Sequence, residues 1–327
     1  MVQDLLESYR RSTVGILKYC VPEFQCCRFA NSRQDLSMDT TGRFYVGSVG
    51  VSLTNPGHAL QTVEAALKDG VFGYLCHMDT RTAYLAVHDR EYADVQNGSF
   101  MTFPDGMPLV WLARLRGHDG VGKVSGKDLM DAVFSVSVEK GYTHYFYGST
   151  QETIANIRKN LVETYPGLVI LDAVSPPFQP LEDFDIDALA AEVNRLRPVF
   201  FWCGLGAPKQ EKLMALLQPK LDATFCSGVG LAFEYFAGTV RRAPEWMQRS
   251  GLEWVYRLAQ QPRNIGRVAR PFAWVMKELV LASMGKKSNC FNCILFELYS
   301  FMVVVRGKAG EPPPFLLLAF MFKSCYP

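Results

Sequence analysis

Two short stretches of this sequence carry side chains at spacings that suit chemistry. In "FMTFPDGMPLVWLARLRG", residues 100–117, a strand-like run ends at Pro104 and Asp105-Gly106 makes a turn. Leu109, Leu112, Ala113 and Leu115 then follow at helical spacing. This sets one carboxylate at the carboxyl end of a strand, where a general base can take a proton from a bound hydroxyl. Asp-Gly is also ordinary turn chemistry, so these residues alone leave both roles open. In "CGLGAPKQEK", residues 203–212, the apolar run from Val199 to Trp202 turns on Gly204 and Gly206 into a helix opening with Pro208, Lys209, Gln210 and Glu211. Proline suits the first helical position, and the free N–H groups of a helix start favour phosphate or another anion. An ordinary strand-to-helix turn has the same residues.

Other patterns are weaker. "GVGKVSGKD" fails as a phosphate loop because Val121 stands where glycine is needed and Asp128 where Ser or Thr is needed. "GLGAPK" puts Lys209 where a dinucleotide fingerprint has its third glycine, which argues against a dehydrogenase. Asp183, Asp185 and Asp187 have the spacing by which some sugar transferases hold a divalent ion, yet they open a helix whose buried face is Leu189, Val193 and Leu196. Acids are favoured there by the helix dipole alone. The Cys26-Cys27 pair and Cys290-x-x-Cys293 lack the partners of a convincing zinc site. Cys20, Cys76, Cys203 and Cys226 sit in apolar contexts, which points to a reducing, cytoplasmic setting.

These residues need a frame. Short apolar runs at 44–49, 71–76, 143–147, 168–173, 198–203 and 222–226 alternate with helical stretches. One such stretch places Ile154, Ile157 and Leu161 behind a Thr150 cap, with Pro166-Gly167 closing it. The alternation predicts an α/β fold, a largely parallel Rossmann-like sheet with flanking helices, and ligands at the strands' carboxyl ends. Past Arg241 the strands stop and 244–283 reads as helices broken at Gly251 and Pro262, with Leu252, Val255, Tyr256, Leu258 and Ala259 facing one way. The chain divides into an N-terminal extension (1–43), an α/β core (44–243), an arginine-rich helical appendage (244–287) and an apolar tail (288–327) to which the residues assign no packed role.

The formal charge of +2 over 327 residues argues against a general nucleic-acid binder. Between Arg241 and Lys287, however, ten basic side chains face three acidic ones, and Arg263, Arg267 and Arg270 share a helix face. That face is either simply solvated or suited to phosphate and anionic lipid heads. The first fifteen residues carry Asp4, Glu7 and two arginines and do not read as a signal peptide. Asn289–Val305 is at the short limit for a membrane span and carries Asn292 and Glu297.

Taken together, "PDGMPLVW", "KVSGKDLM", "YFYGSTQETIANIRKNLVETYPGL", "GLGAPKQEK", "SGVGLAFEYFAGTVRRAPEWM" and "GLEWVYRLAQQPRNIGR" resemble the WecG/TagA/CpsF glycosyltransferases, glycosyltransferase family 26, from about Phe44 to Leu279. The resemblance implies transfer of a sugar (N-acetylmannosamine, its uronic acid, glucose or similar) from a UDP-sugar, with inversion and no cofactor. The implied acceptor is a polyprenyl-diphosphate-linked glycan at the cytoplasmic face of the membrane. It implies that Asp105 is the base and that Gln210 contacts donor or acceptor, with Gly106, Gly206, Pro208, Lys209 and Glu211 lining the same pocket. It also implies that Arg257, Arg263, Arg267 and Arg270 meet lipid diphosphate and the anionic membrane surface. Two motifs depart from the family pattern: His77 and Asp79 in "CHMDTRT" replace a usual Thr-x-Asn, and Lys123 replaces an arginine, keeping charge but losing a bidentate fork. Both are expected to line the substrate pocket. The competing expectations are a metal-dependent transferase built on Asp183, Asp185 and Asp187, and a non-catalytic nucleotide-sugar or lipid-binding partner. Apolar surface around Trp246 and Trp254 can pack on core, a second subunit or lipid.

Overall fold

Runs such as Phe200-Phe201-Trp202-Cys203 have no polar alternation, which fits strands covered on both faces. The computed structural model describes residues 42–261 and 265–283, and the 1–41 and 284–327 segments lie outside it. Its strands are β1 (Arg43–Val46), β2 (Val49–Ser52), β3 (Tyr74–Met78), β4 (Met101–Pro104), β5 (Thr143–Gly148), β6 (Val169–Val174), β7 (Phe200–Gly204) and β8 (Phe225–Gly228). The last six form one sheet in the order β4-β3-β8-β7-β5-β6, with every pair parallel. All six carboxyl ends therefore lie along one edge. The expected run at 44–49 is instead two short antiparallel strands, β1 and β2, because the chain turns at Gly47-Ser48. The run at 71–76 begins later than expected: Val71 is exposed and the strand starts at Tyr74.

Alternation within the strands splits the core. Phe200 and Trp202 face a cluster with Phe134, Ile157 and Phe233, while Phe201 and Cys203 face one with Val193, Leu213 and Met214. Helices Gly126–Lys140 and Gln151–Thr164 cover the first face, and Ile186–Leu196 and Lys209–Leu217 the second. Thr150 caps its helix by accepting from the Thr153 N–H at 3.2 Å, as its sequence position predicts. At the end of β7, a Cβ on Gly204 would stand 2.3 Å from the ring of the buried Phe233, so only glycine lets that ring seat against the strand.

A third cluster joins the β1–β2 hairpin (Phe44, Val46, Val49, Val51) to helices Thr80–His88 and Met107–Leu115. The helix Ile265–Ser283 closes it through Phe272, Val275, Met276 and Leu279, each at most 3% exposed. Their spacing of three, one and three residues is one helical stripe, and each such burial contributes about 1.5–3 kcal/mol. Trp254 packs on Phe272 with ring centroids 4.8 Å apart, whereas Trp246 is exposed. Among the described residues no helix is long and apolar enough to cross a membrane.

Candidate active site

Asp105 follows β4 directly, and its N–H donates to the Met78 carbonyl at 2.8 Å, so the edge strand delivers it beside the end of β3. The side chain is half-buried. Burial pushes its carboxyl up to about 7; Lys123 acts in the opposite sense, and Asp79, Glu253 and Asp128 add to the rise. Lys123 is brought there because the Val124 N–H donates to the Pro104 carbonyl at 2.9 Å. Gly106 precedes the helix Met107–Leu115, and a Cβ there would meet nothing closer than Pro108 at 3.8 Å.

The second half of the site is the turn after β7. Gly206 takes the left-handed region at φ +81°, Pro208 follows a cis peptide bond, and the helix begins at Lys209, one residue later than the sequence suggests. Gln210 is buried: its Oε1 accepts from the Gly206 N–H at 3.1 Å and its Nε2 donates to Glu211 Oε1 at 2.8 Å. Glu211 is fully enclosed, and burial pushes its carboxyl up to about 7 against the hydrogen bond from Gln210. These two side chains shape the turn from beneath. Lys209 points away toward the loop after β6, donating to the Gln179 carbonyl at 2.7 Å and lying over the Phe178 ring.

His77 and Asp79 join the halves. His77 is buried, with Nδ1 3.3 Å from the Val124 carbonyl and Nε2 3.3 Å from Ser227 Oγ. A carbonyl only accepts, so Nδ1 carries the proton and Nε2 accepts from the serine. Burial holds the ring's pKa down to about 4, which makes it a neutral tie between β3, β8 and the 124 loop. Asp79 caps helix Thr80–His88 in a reciprocal box with Thr82, accepting from its N–H at 2.7 Å. Its charge adds to the rise at both Asp105 and Glu211. Three strand spacings separate β4 from β7, about 14 Å along the sheet edge.

Several contributors were hidden in the sequence. Lys123 pairs with Glu253, from the helix Glu253–Gln260. Arg242 pairs with Asp128 at 2.7 Å, donates to Ser125 Oγ at 3.1 Å and lies 3.5 Å from Glu253. Arg81, from the first turn of its helix, reaches the Ala207 carbonyl at 3.4 Å. Ser149, just past β5, sits at φ +57°, an uncommon conformation for serine, with its Oγ 3.4 Å from Glu234. Arg257, Arg267 and Arg270 are exposed, Arg257 on the side of Glu234 and Tyr235; Arg263 lies outside the described residues.

Two of the three acids in the 183–187 run are engaged elsewhere. Asp185 caps the helix Ile186–Leu196 and Asp187 pairs with Lys220 at 2.6 Å. Among the described residues no three His, Cys, Asp or Glu side chains group as metal ligands. A groove of about 360 Å³, lined by Lys127, Asp131, Asn160, Tyr165, Tyr235 and Phe236, contains none of the residues singled out from sequence.

A family profile described as "Glycosyl transferase WecG/TagA/CpsF family" matches residues 44–288. The chain is 30% identical over 180 residues to the N-acetylglucosaminyldiphosphoundecaprenol N-acetyl-beta-D-mannosaminyltransferase of Bacillus subtilis (strain 168), covering 55% of this chain and 68% of that protein. It is 27% identical over 183 residues to the protein of the same name in Bacillus spizizenii, covering 56% and 69%. The Staphylococcus aureus (strain MW2) protein of that name is 25% identical over 185 residues, covering 57% and 70%.

Proposed function

Since the chain belongs to the WecG/TagA/CpsF glycosyltransferase family, we propose that it moves a sugar from a UDP-sugar, with inversion, onto a polyprenyl-diphosphate-linked N-acetylglucosamine. N-acetylmannosamine is the first donor sugar to test, because it is the one named in the relatives. The observation that carries the reading is the half-buried Asp105 carboxylate at the end of β4, on the same sheet edge as the turn held by Gln210 and Glu211.

In this reading Asp105 takes the proton from the acceptor hydroxyl as that oxygen bonds to the anomeric carbon. The bond from that carbon to the UDP oxygen breaks on the opposite face, leaving negative charge on the diphosphate. Arg81, beside the Ala207 carbonyl, and Arg257, beside Glu234 and Tyr235, are the cations set to meet that charge, with the dipole of the helix Lys209–Leu217 behind them. This reading has no metal step, and the use of Asp185 in a cap and Asp187 in an ion pair supports it. UDP release across UDP-hexoses, UDP-N-acetylhexosamines and UDP-uronic acids, with a short-chain lipid diphosphate acceptor, tests this. Acceptor-dependent release that survives a chelator is expected. Silence with every donor would leave a binding role, and loss on chelation would return the acidic run to the site.

In the same reading the C-terminal helices lie at the anionic inner surface of the membrane, where the acceptor's lipid is anchored, and the exposure of Arg257, Arg267 and Arg270 supports this. Each basic side chain near such a surface contributes about 1 kcal/mol. The double variant Arg267→Ala, Arg270→Ala is therefore expected to weaken sedimentation with phosphatidylglycerol vesicles about thirtyfold. Unchanged sedimentation contradicts the assignment.

A further inference from the structure

The charges around Asp105 form a chain whose last member arrives from the C-terminal helices. Asp128, on helix Gly126–Lys140, holds Arg242 at 2.7 Å; Arg242 lies 3.5 Å from Glu253; and Glu253 holds the Lys123 ammonium. All four side chains are at most one-third exposed, with Lys123 at 14% and Glu253 at 17%. The charged and titratable neighbours of Asp105 come from several separate elements. They are Asp79 at the end of β3, Lys123 in the 124 loop, Asp128, Glu253, and, with Arg242 in the following segment, Tyr235 from helix Ala232–Phe236.

Lys123 is the cation that opposes the effect of burial on Asp105, and one acceptor already occupies it. An ammonium given wholly to Asp105 would make that carboxylate a weak base, since an opposite charge at contact lowers a carboxyl pKa by about 1–3 units. Such a group cannot draw a proton from a sugar hydroxyl at neutral pH with useful driving force.

We propose that Glu253 is a positioning residue for proton transfer at Asp105: it holds the Lys123 ammonium off the carboxylate and thereby keeps that base strong. The assignment rests on Asp105 being the base, and it deepens that reading by tying base strength to the seating of the helix Glu253–Gln260. Arg242 steadies the arrangement, since it bonds Asp128 and Ser125 on one side and approaches Glu253 on the other. Neutralising Glu253 acts on Asp105 in one direction by two routes: it removes a repelling charge and frees an attracting one. Neutralising Lys123 acts in the other direction.

The test is a carbon-13 NMR titration of the Asp105 carboxyl, assigned by its loss in Asp105→Asn, on the full chain without substrate. Glu253→Gln is expected to move the midpoint down by about one pH unit, and Lys123→Met to move it up. An unmoved or raised midpoint in Glu253→Gln overturns the proposal. If that variant does not fold, Lys123→Met decides it alone, an unchanged midpoint being the contrary result. The titration needs no turnover, so it stands even if the chain transfers no sugar; where turnover is found, Glu253→Gln should also shift the acid limb of kcat/KM downward and leave KM for donor little changed.

Discussion

Asp105→Asn is expected to lower sugar transfer by roughly 10²–10⁴-fold, the contribution of a positioned base, while the protein folds normally. It should also become more stable at neutral pH. Burial sets the folded carboxyl at about 7, against about 3.9 in an unfolded chain. A group whose pKa is raised by folding favours the fold at low pH and costs it stability as pH rises. The wild-type protein therefore loses stability from about pH 4 to about pH 7 and no more above that. Asparagine copies the neutral acid in shape and carries no charge, so the variant escapes the loss. The difference in Tm should open from pH 4 and level off past 7, reduced by the solvent that reaches the exposed part of the carboxyl. UDP release and melting, measured across that range, check both halves. Near-normal turnover in the variant removes Asp105 from the role of base.

Val275→Asp should be the most damaging single change in the C-terminal helix. Val275 is fully buried between Phe272, Met276 and Leu279 in the cluster that includes Val46, Leu109 and Leu112. An unpaired carboxylate there costs several kcal/mol, and the helix can escape that cost only by leaving the cluster. Leaving exposes four apolar side chains and their partners, at about 1.5–3 kcal/mol each. Trp254 goes with Phe272, and Glu253 is the residue immediately before Trp254 in the chain. The expected result is a steep fall in Tm together with loss of turnover. Val280→Asp, on the exposed side of the same helix, should melt as wild type. Equal melting of the two variants would mean that the helix does not belong to the core. The same burial makes truncation before Arg257 a poor test of membrane contact, because it uncovers the cluster as well as removing arginines.

What the sequence disclosed follows from the range of the interactions. Strands buried on both faces announce themselves as unbroken apolar runs, and a proline or glycine at the end of a run marks where a side chain meets the ligand edge. Asp105 and the 203–212 turn were legible on those grounds. The run at 44–49 misled because a two-residue turn inside an apolar stretch leaves the hydrophobic count unchanged. Lys123 and Glu253 are 130 residues apart, and Arg242 and Asp128 are 114 apart, so no spacing rule connects them. Net charge over 241–287 does not separate surface groups from Arg242 and Glu253, which are largely buried against each other. His77 and Glu211 were expected to line the substrate pocket on the strength of the family resemblance. Their side chains bond to neighbouring strands and to the Gln210 turn, partners that no local spacing announces.

The pH dependence of kcat/KM for acceptor-dependent UDP release reaches the central claim most directly. The account predicts a rise of about tenfold per pH unit below about 7, a plateau above it, and a bend that disappears in Asp105→Asn. A wild-type profile that is flat from pH 5 to 8, or a bend that persists unchanged in Asp105→Asn, would contradict it.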